Sequence, residues 1–124
     1  MEKSLEQTIN ADSNGLLAYD YVINNLDLLD QEQLNELTHS LVEKDKSGQA
    51  SVSLAKYLKS TGIDYEEVID LLIKNAIEKD REHKYIVELL SACWGDDYKE
   101  HVAELNSSDN NFRRIYKRVY GCGL

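Results

Sequence analysis

Apolar residues recur along most of the chain at steps of three and four positions rather than in strict alternation. Steps of this length place side chains on one face of an α-helix, whereas alternation is typical of a half-buried strand. Seven apolar stripes can be distinguished, and they cover residues 16–26, 34–42, 52–58, 68–77, 86–93, 102–105 and 112–119. The pattern therefore predicts an all-α protein of about seven short helices.

Residues at the ends of the stripes agree with these helices. The chain has no proline and only six glycines, so a helix can continue until a glycine or a capping residue ends it. Gly62 and Gly95 stand where helices should end, because glycine adopts the left-handed conformation at low cost. The short connections predict neighbouring helices that pack antiparallel as hairpins. Side chains that can accept the amide protons of a first helical turn precede four stripes, and they are Asp30, Asp64, Asp97 and either Ser108 or Asp109.

Two pairs of similar segments indicate an internal repeat. "GIDYEE" at 62–67 is similar to "GDDYKE" 33 residues later, and "EKDK" at 43–46 is similar to "EKDR" 35 residues later. A period of about 34 residues has the size of a two-helix repeat of the tetratricopeptide or HEAT kind, although the tetratricopeptide proline is absent. A compact orthogonal bundle of the same helices is the alternative. We expect one domain over residues 1–124, with candidate αα repeats at 14–46, 47–81 and 82–106 and a basic C-terminal helix at 108–120.

The segment at residues 43–57 begins like the calcium-binding loop of an EF-hand. Such a loop needs oxygen ligands at positions 1, 3, 5 and 12 and a glycine at position 6. If Asp45 is position 1, Ala50 replaces the glycine and Lys56 replaces the bidentate glutamate. We therefore expect no calcium binding and interpret "EKDK" as the polar end of a helix.

Composition and length favour a folded protein without a membrane segment. The chain has 124 residues, of which 42% are hydrophobic and 30% charged, enough for one domain with its own core. No apolar run approaches the roughly 20 residues needed to span a bilayer, and the first residues lack the apolar segment of a secretory signal. We therefore expect a cytoplasmic protein with no membrane partner. In that reducing compartment Cys93 and Cys122 are expected to be free thiols, and the position of Cys122 does not match a prenylation motif.

Few residues form a pattern associated with catalysis or metal binding. Asp97, Glu100 and His101 have the i, i+3, i+4 spacing of one helical face, which metal sites use, but solvated charges on a short helix have the same spacing. Cys93 belongs to an apolar stripe and is expected to be a core residue rather than a nucleophile. The sequence contains no glycine-rich phosphate loop and no GxSxG or HExxH motif. We therefore predict no cofactor, no metal and no enzymatic activity.

The charged residues are unevenly distributed. The chain has 23 acidic residues and a net charge of −9, and every acidic residue precedes Phe112. The predicted last helix carries Arg113, Arg114, Lys117 and Arg118 among aromatic and apolar residues. One interpretation is that this helix binds the phosphates of nucleic acid or another anion. The favoured interpretation is that its apolar face packs on the domain while its cations pair with carboxylates or with its own C-terminal dipole, because an acidic body repels nucleic acid.

Aromatic residues complete the set of candidate functional residues. Eight of the aromatic residues are tyrosines, which suit positions half in and half out of water, including interfaces. As a candidate interaction surface we select Tyr57, Tyr65, Tyr85, Trp94 and Tyr98.

These features favour a non-catalytic protein–protein interaction module or regulator with an acidic helical-repeat surface, and such a surface favours a basic partner. Nucleic-acid or phosphate binding through the C-terminal helix is the first alternative. A small metal-dependent enzyme that uses Asp97, Glu100 and His101 is the second. A homodimer formed through the tyrosine-bearing faces or the last helix is a further alternative.

Overall fold

The computed structural model of the chain describes residues 2–121, with side chains described from residue 5 onward. This part of the chain is all-α, as the apolar spacing predicted, and within it there are eight α-helices, two 3-10 helices and no β-strand. The 3-10 helices are Leu26–Leu28, directly after α2, and Tyr98–His101, directly before α7. The α-helices are α1 (Glu2–Ala11), α2 (Leu16–Asn25), α3 (Gln31–Lys44), α4 (Gln49–Ser60), α5 (Glu66–Lys79), α6 (Val87–Trp94), α7 (Val102–Ser108) and α8 (Asn110–Tyr120).

The prediction of seven helices missed α1. Leu5 and Ile9 are the large apolar residues of this helix, and two positions are too few to distinguish a stripe. Leu5 is nevertheless buried and Ile9 packs against the core, so contacts with α2 and α3 hold the helix in place. The other seven helices coincide with the predicted stripes to within three residues at each end.

The predicted N-caps are confirmed at two helices. Asp30 caps α3 in a reciprocal capping box, and Asp109, rather than Ser108, accepts a hydrogen bond from the first turn of α8. Asp64 lies one residue before the N-cap position of α5, although its side chain still accepts an N–H of the first turn. The prediction for Asp97 was wrong, because this residue precedes a 3-10 helix and makes no capping hydrogen bond.

Glycines end two helices as predicted. Gly62 follows the end of α4 with φ of 74°, and Gly95 follows α6 with φ of 96°. Residues with a side chain rarely adopt this backbone conformation, which explains why glycine occupies both positions.

The helices are arranged in two rows. α1, α3 and α5 contact one another in chain order, and α8 extends this row by contacting α5. α2, α4 and α6 form the second row, again in chain order, and contacts of α2 with α3, of α4 with α5 and of α6 with α8 join the two rows. The assignment to tetratricopeptide- or HEAT-like repeats, the repeat bounds and the single domain stay predictions.

The core is formed by apolar side chains from both rows. Burial of a leucine, isoleucine or phenylalanine side chain is worth about 1.5–3 kcal/mol relative to exposure. The largest fully buried side chains include Leu37, Leu41, Leu54, Leu58, Leu72, Ile77, Leu89, Leu90, Phe112 and Ile115.

Among the helices at residues 2–121, none is long and apolar enough to cross a membrane.

Three buried aspartates form the turns after α1, α3 and α5. Asp12, Asp45 and Asp80 directly follow these helices, and each is at most 5% exposed. Each carboxylate accepts hydrogen bonds from backbone N–H groups of the turn that follows it. The similar segments "EKDK" and "EKDR" therefore mark the same structural position, the end of a helix followed by a buried carboxylate.

The segment at residues 43–46 was predicted to be the polar end of a helix, and this is only partly correct because Asp45 is buried. Lys44 ends α3, as expected, but Asp45 is 1% exposed. Its Oδ1 accepts the N–H groups of Ser47 and Gly48, and its Oδ2 accepts the N–H and hydroxyl groups of Ser51. Because four protein donors engage the two oxygens, the turn itself accounts for the aspartate and glycine that resemble a calcium loop.

Candidate functional site

A groove bounded by α4, α5, α6 and α8 combines an apolar floor with an acidic rim. Its volume is about 400 Å³, within the range of ligand-binding clefts. Ile69 and Ile73 lie at its base with little exposed area, so the half-buried Trp94 supplies most of the apolar surface. The charged residues that line it are one cation and four carboxylates, namely Lys59, Glu66, Glu67, Asp70 and Asp109. We call this surface the acidic groove.

The acidic groove continues along the connection between α4 and α5. A neighbouring cavity of about 400 Å³ shares Lys59, Glu66 and Ile69 with it and adds Ile63 and Tyr65. Ile63 is 58% exposed, so a large apolar side chain stands in solvent beside the groove. The two cavities together offer room for more than one side chain of a ligand.

Hydrogen bonds fix two of the four carboxylates. Asp70 accepts a hydrogen bond from Asn111 Nδ2 at 2.7 Å and pairs with Lys74 Nζ at 2.9 Å. Although partial burial acts in the opposite direction, these contacts lower the pKa of Asp70 below its ordinary value of 3.8, so this side chain is charged at neutral pH. Asp109 Oδ2 accepts the indole N–H of Trp94 at 2.8 Å. The two carboxylates therefore position the start of α8 and the indole ring against the groove.

Glu66 and Glu67 are the carboxylates that remain available to a ligand. Both are exposed in the first turn of α5, where the positive end of the helix dipole favours negative charge. Neither forms a salt bridge with another residue in the described part of the chain. Neither was among the residues predicted from the sequence, where the available signal was two adjacent acidic residues directly after the "GIDY" segment.

Cys93 lines the acidic groove as a half-buried free thiol. Burial raises the pKa of this thiol to about 11, so it carries little thiolate at neutral pH. Cys93 packs against the core, as its place in an apolar stripe predicted. Cys122 lies outside the described residues, and the expectations for it stay predictions.

The five candidate interaction residues do not form one surface. Trp94 lies in the acidic groove and Tyr65 in its continuation, whereas Tyr85 lines a separate cleft. Tyr57 is half-buried, with its hydroxyl 3.5 Å from a backbone carbonyl oxygen of α2. Tyr98 is only 8% exposed and offers little area to a partner. The structure therefore brings Trp94 and Tyr65 together and separates the other three residues from them.

Tyr98 belongs instead to an aromatic cluster that holds α8. Its hydroxyl lies 2.9 Å from the hydroxyl of Tyr120, and this hydrogen bond, together with burial, raises the pKa of Tyr98 to about 12. Phe112 is fully buried between Trp94, Tyr98 and Tyr116, with ring centroids 5.3 to 6.1 Å apart. The sequence suggested a surface role because tyrosine spacing does not distinguish an exposed ring from one that packs on another helix.

The four cations of α8 do not gather at one site. Arg113 donates to a side-chain oxygen one turn earlier, and Arg118 donates to the carbonyl oxygen of Ile77 at 2.8 Å. Within residues 2–121 none of the four, Arg114 and Lys117 included, forms a salt bridge with a carboxylate. Of the two interactions expected for these cations, pairing with carboxylates is not found among the described residues, whereas Lys117 and Arg118 lie in the last turn of α8, where the helix dipole favours positive charge. The apolar face of α8 does pack on the domain, and Arg118 binds the C-terminal end of α5.

The predicted metal-binding spacing is not realised as one face of an α-helix. Glu100 and His101 lie in the 3-10 helix, and Asp97 precedes it. The only contact found among these three is between Asp97 Oδ2 and His101 Nε2 at 3.4 Å, and no group of three potential metal ligands occurs anywhere in the described residues.

Comparisons with known proteins give no relative for this chain: no protein-family model, no curated protein and no solved structure matches it.

Proposed function

We propose that this chain is a non-catalytic interaction module that binds a basic segment of a protein partner in the acidic groove. The observation that supports the proposal is the composition of the groove, in which four carboxylates and one cation surround an apolar floor. A segment with one or two Lys or Arg residues beside an aromatic or aliphatic residue complements both features. Trp94 and Tyr65, selected from the sequence as contact residues, line this surface.

The expected affinity follows from the two kinds of contact. Exposed ion pairs contribute about 0.2–1 kcal/mol each, so an apolar side chain of the ligand packed against Trp94 must supply most of the binding energy. A single short segment in the groove buries less area than an obligate interface does, and we expect a dissociation constant on the order of 10 µM, equivalent to about −7 kcal/mol. Binding should weaken as salt is added, because Glu66 and Glu67 are exposed to solvent.

Selection of random displayed peptides against the folded chain tests the proposal. We expect selected peptides to contain Lys or Arg next to an aromatic or aliphatic residue. Substitution Glu66→Gln with Glu67→Gln should then weaken the best peptide about fivefold. The matched control is Glu36→Gln with Glu43→Gln, which removes two exposed carboxylates from α3, outside both cavities. Peptides without cations, or equal weakening by both pairs of substitutions, would contradict the proposal.

The other expectations from the sequence have no specific observation in their favour. A cytoplasmic location, a homodimer and a metal-dependent activity stay predictions. Nucleic-acid binding through α8 also stays a prediction, and the dispersed cations of that helix do not support it.

A further inference from the structure

A second cleft, on a different part of the surface from the acidic groove, has cations at five of its ten lining residues. Its volume is about 840 Å³. Three separate segments contribute to it: the turn after α3, the end of α5 with the connection to α6, and α8. The five cations are Lys46, Lys79, Arg81, Lys84 and Arg118. We call this surface the cationic cleft.

The carboxylates of the cationic cleft only partly neutralise it. Asp80 is 2% exposed and accepts three backbone N–H groups. Glu82 pairs with Lys84 at 3.1 Å, which leaves Glu78 as the one other carboxylate in the lining. The lining therefore has more cations than carboxylates, in a chain whose net charge is −9. A local excess of positive charge in an acidic protein favours a small anion over a large polyanion, which the rest of the surface repels.

Two of the cations are held in place by the ends of helices. Lys79 Nζ donates to the carbonyl oxygens of Val42 and Asp45, at the C-terminal end of α3. Arg118 donates one N–H to Ile77 at the C-terminal end of α5, and a guanidinium group has four others. Lys44 donates in the same way to the C-terminal end of α1. Stabilisation of helix C-termini therefore accounts for Lys79 and Arg118.

Of the three remaining cations, Lys84 pairs with Glu82, and the other two have no such structural role. Lys46 and Arg81 are exposed, and neither side chain forms a salt bridge or a hydrogen bond with another described residue that would explain its position. They lie on two different turns and line the same cleft. These two residues can therefore be removed without loss of a contact that holds the fold.

A long connection between α5 and α6 supplies much of the lining of the cleft. Four residues separate α1 from α2 and α3 from α4, whereas seven residues, 80–86, separate α5 from α6. The cavity at the corresponding place beside the α3–α4 turn has a volume of only about 90 Å³. The longer connection carries Arg81, Lys84 and Tyr85, all of which line the cationic cleft.

We propose that the cationic cleft binds the phosphate groups of a compact phosphorylated small molecule. Its volume lies within the range of small-molecule sites. Arg and Lys side chains from three segments can donate charge-assisted hydrogen bonds to phosphate oxygens, and the ring of Tyr85 supplies an aromatic surface beside them. This site shares no lining residue with the acidic groove, so either proposal can be contradicted without affecting the other.

Titration of the full chain with inorganic pyrophosphate, followed by amide chemical shifts at constant ionic strength, tests this inference. We expect saturable shifts at the amides of residues 46–48 and 80–86. Substitution Lys46→Ala with Arg81→Ala should weaken binding roughly tenfold or more. The matched control, Lys99→Ala with Arg113→Ala, removes one exposed lysine and one exposed arginine outside the cleft and should change the affinity less than about twofold.

Three results would overturn the inference. The first is the absence of saturable shifts at these amides. The second is equal weakening by the cleft and control substitutions, which would indicate a general effect of charge. The third comes from a parallel titration with a single-stranded oligonucleotide at the same phosphate concentration: tighter binding of the oligonucleotide than of pyrophosphate would assign the surface to nucleic acid.

Discussion

Replacement of Asp45 by alanine removes the hydrogen-bond acceptors of the α3–α4 turn. The carboxylate is 1% exposed and accepts four hydrogen bonds, at 2.7 to 3.2 Å. The N–H groups of Gly48 and Ser51 are in buried surroundings, so water cannot replace the lost acceptor at these positions. The Ser51 hydroxyl keeps one contact, because it also accepts Asn75 Nδ2 at 2.9 Å.

The size of the effect follows from the two buried amides. A buried donor left without an acceptor costs about 1–3 kcal/mol, and hydrogen bonds to a charged group are worth about 1.5–3 kcal/mol each. Two buried amides and a weakened hydroxyl contact give an expected loss of about 3–5 kcal/mol for Asp45→Ala. Single domains are typically stable by about 5–15 kcal/mol, so this variant should lose a large part of the free energy of unfolding and unfold at a clearly lower urea concentration than the wild type.

Urea unfolding followed by circular dichroism measures this loss. The control is Asp64→Ala, because the Asp64 side chain is exposed and accepts one N–H, that of Glu66, at 3.1 Å. We expect a loss of about 0.5 kcal/mol for the control. If Asp45→Ala lost no more than Asp64→Ala, with an unchanged dependence on urea concentration, the buried carboxylate would not be the element that stabilises the turn.

Three further predictions concern glycine, tyrosine and pH. Gly48→Ala should lower the free energy of unfolding in urea by about 2–3 kcal/mol, because the backbone φ is +89° and the new Cβ would lie 2.9 Å from Asp80 Cβ. Gly62→Ala has open space around the new Cβ and should lower it by about 1 kcal/mol. Tyr120→Phe should lower the pKa of Tyr98 from about 12, as measured by the absorbance of tyrosinate. Because folding raises this pKa above 10.0, the wild type should also lose stability as pH rises from about 10 towards 12. Asp70 should show the opposite pH dependence of stability, because its pKa is lowered in the folded protein. Asp70→Asn should be less stable than the wild type at neutral pH, and this difference should shrink as pH falls below 3.8. A constant difference across that acidic range, or an unchanged tyrosinate titration, would contradict the corresponding assignment.

Helix existence was predictable from this sequence because the apolar stripes are local. Helical spacing depends on residues within a few turns, and seven of the eight described helices carried enough apolar positions to be recognised. α1 was missed because its stability depends on packing of Leu5 and Ile9 against other helices. The repeated "EKD" segment was recognised as a repeat, but burial of Asp45 and Asp80 was not, because an aspartate in a turn has the same sequence appearance whether solvent or amides surround it.

The candidate sites were less predictable because they combine distant segments. The acidic groove brings Lys59, Glu66, Trp94 and Asp109 together, and no local spacing links these positions. Trp94 was selected for its residue type, whereas Glu66 could be selected only once the floor of the groove was known. The cationic cleft likewise depends on the long connection between α5 and α6, which the repeat offsets did not reveal. The interval from "EKD" to the next glycine segment is 19 residues in the first copy and 17 in the second, because α6 is shorter than α4 and hides the longer connection.

Trp94 provides the most direct test of the proposed function. It is the only tryptophan of the chain and lines the acidic groove, so the tryptophan fluorescence originates at this surface. The measurement is the fluorescence of Trp94 during titration with the tightest selected basic peptide, itself free of tryptophan, at low and high salt. We predict a saturable change whose midpoint moves to higher peptide concentration in salt and after Glu66→Gln with Glu67→Gln. Binding of the peptide, established by an independent label, without any change at Trp94 would contradict the account and place the interaction elsewhere.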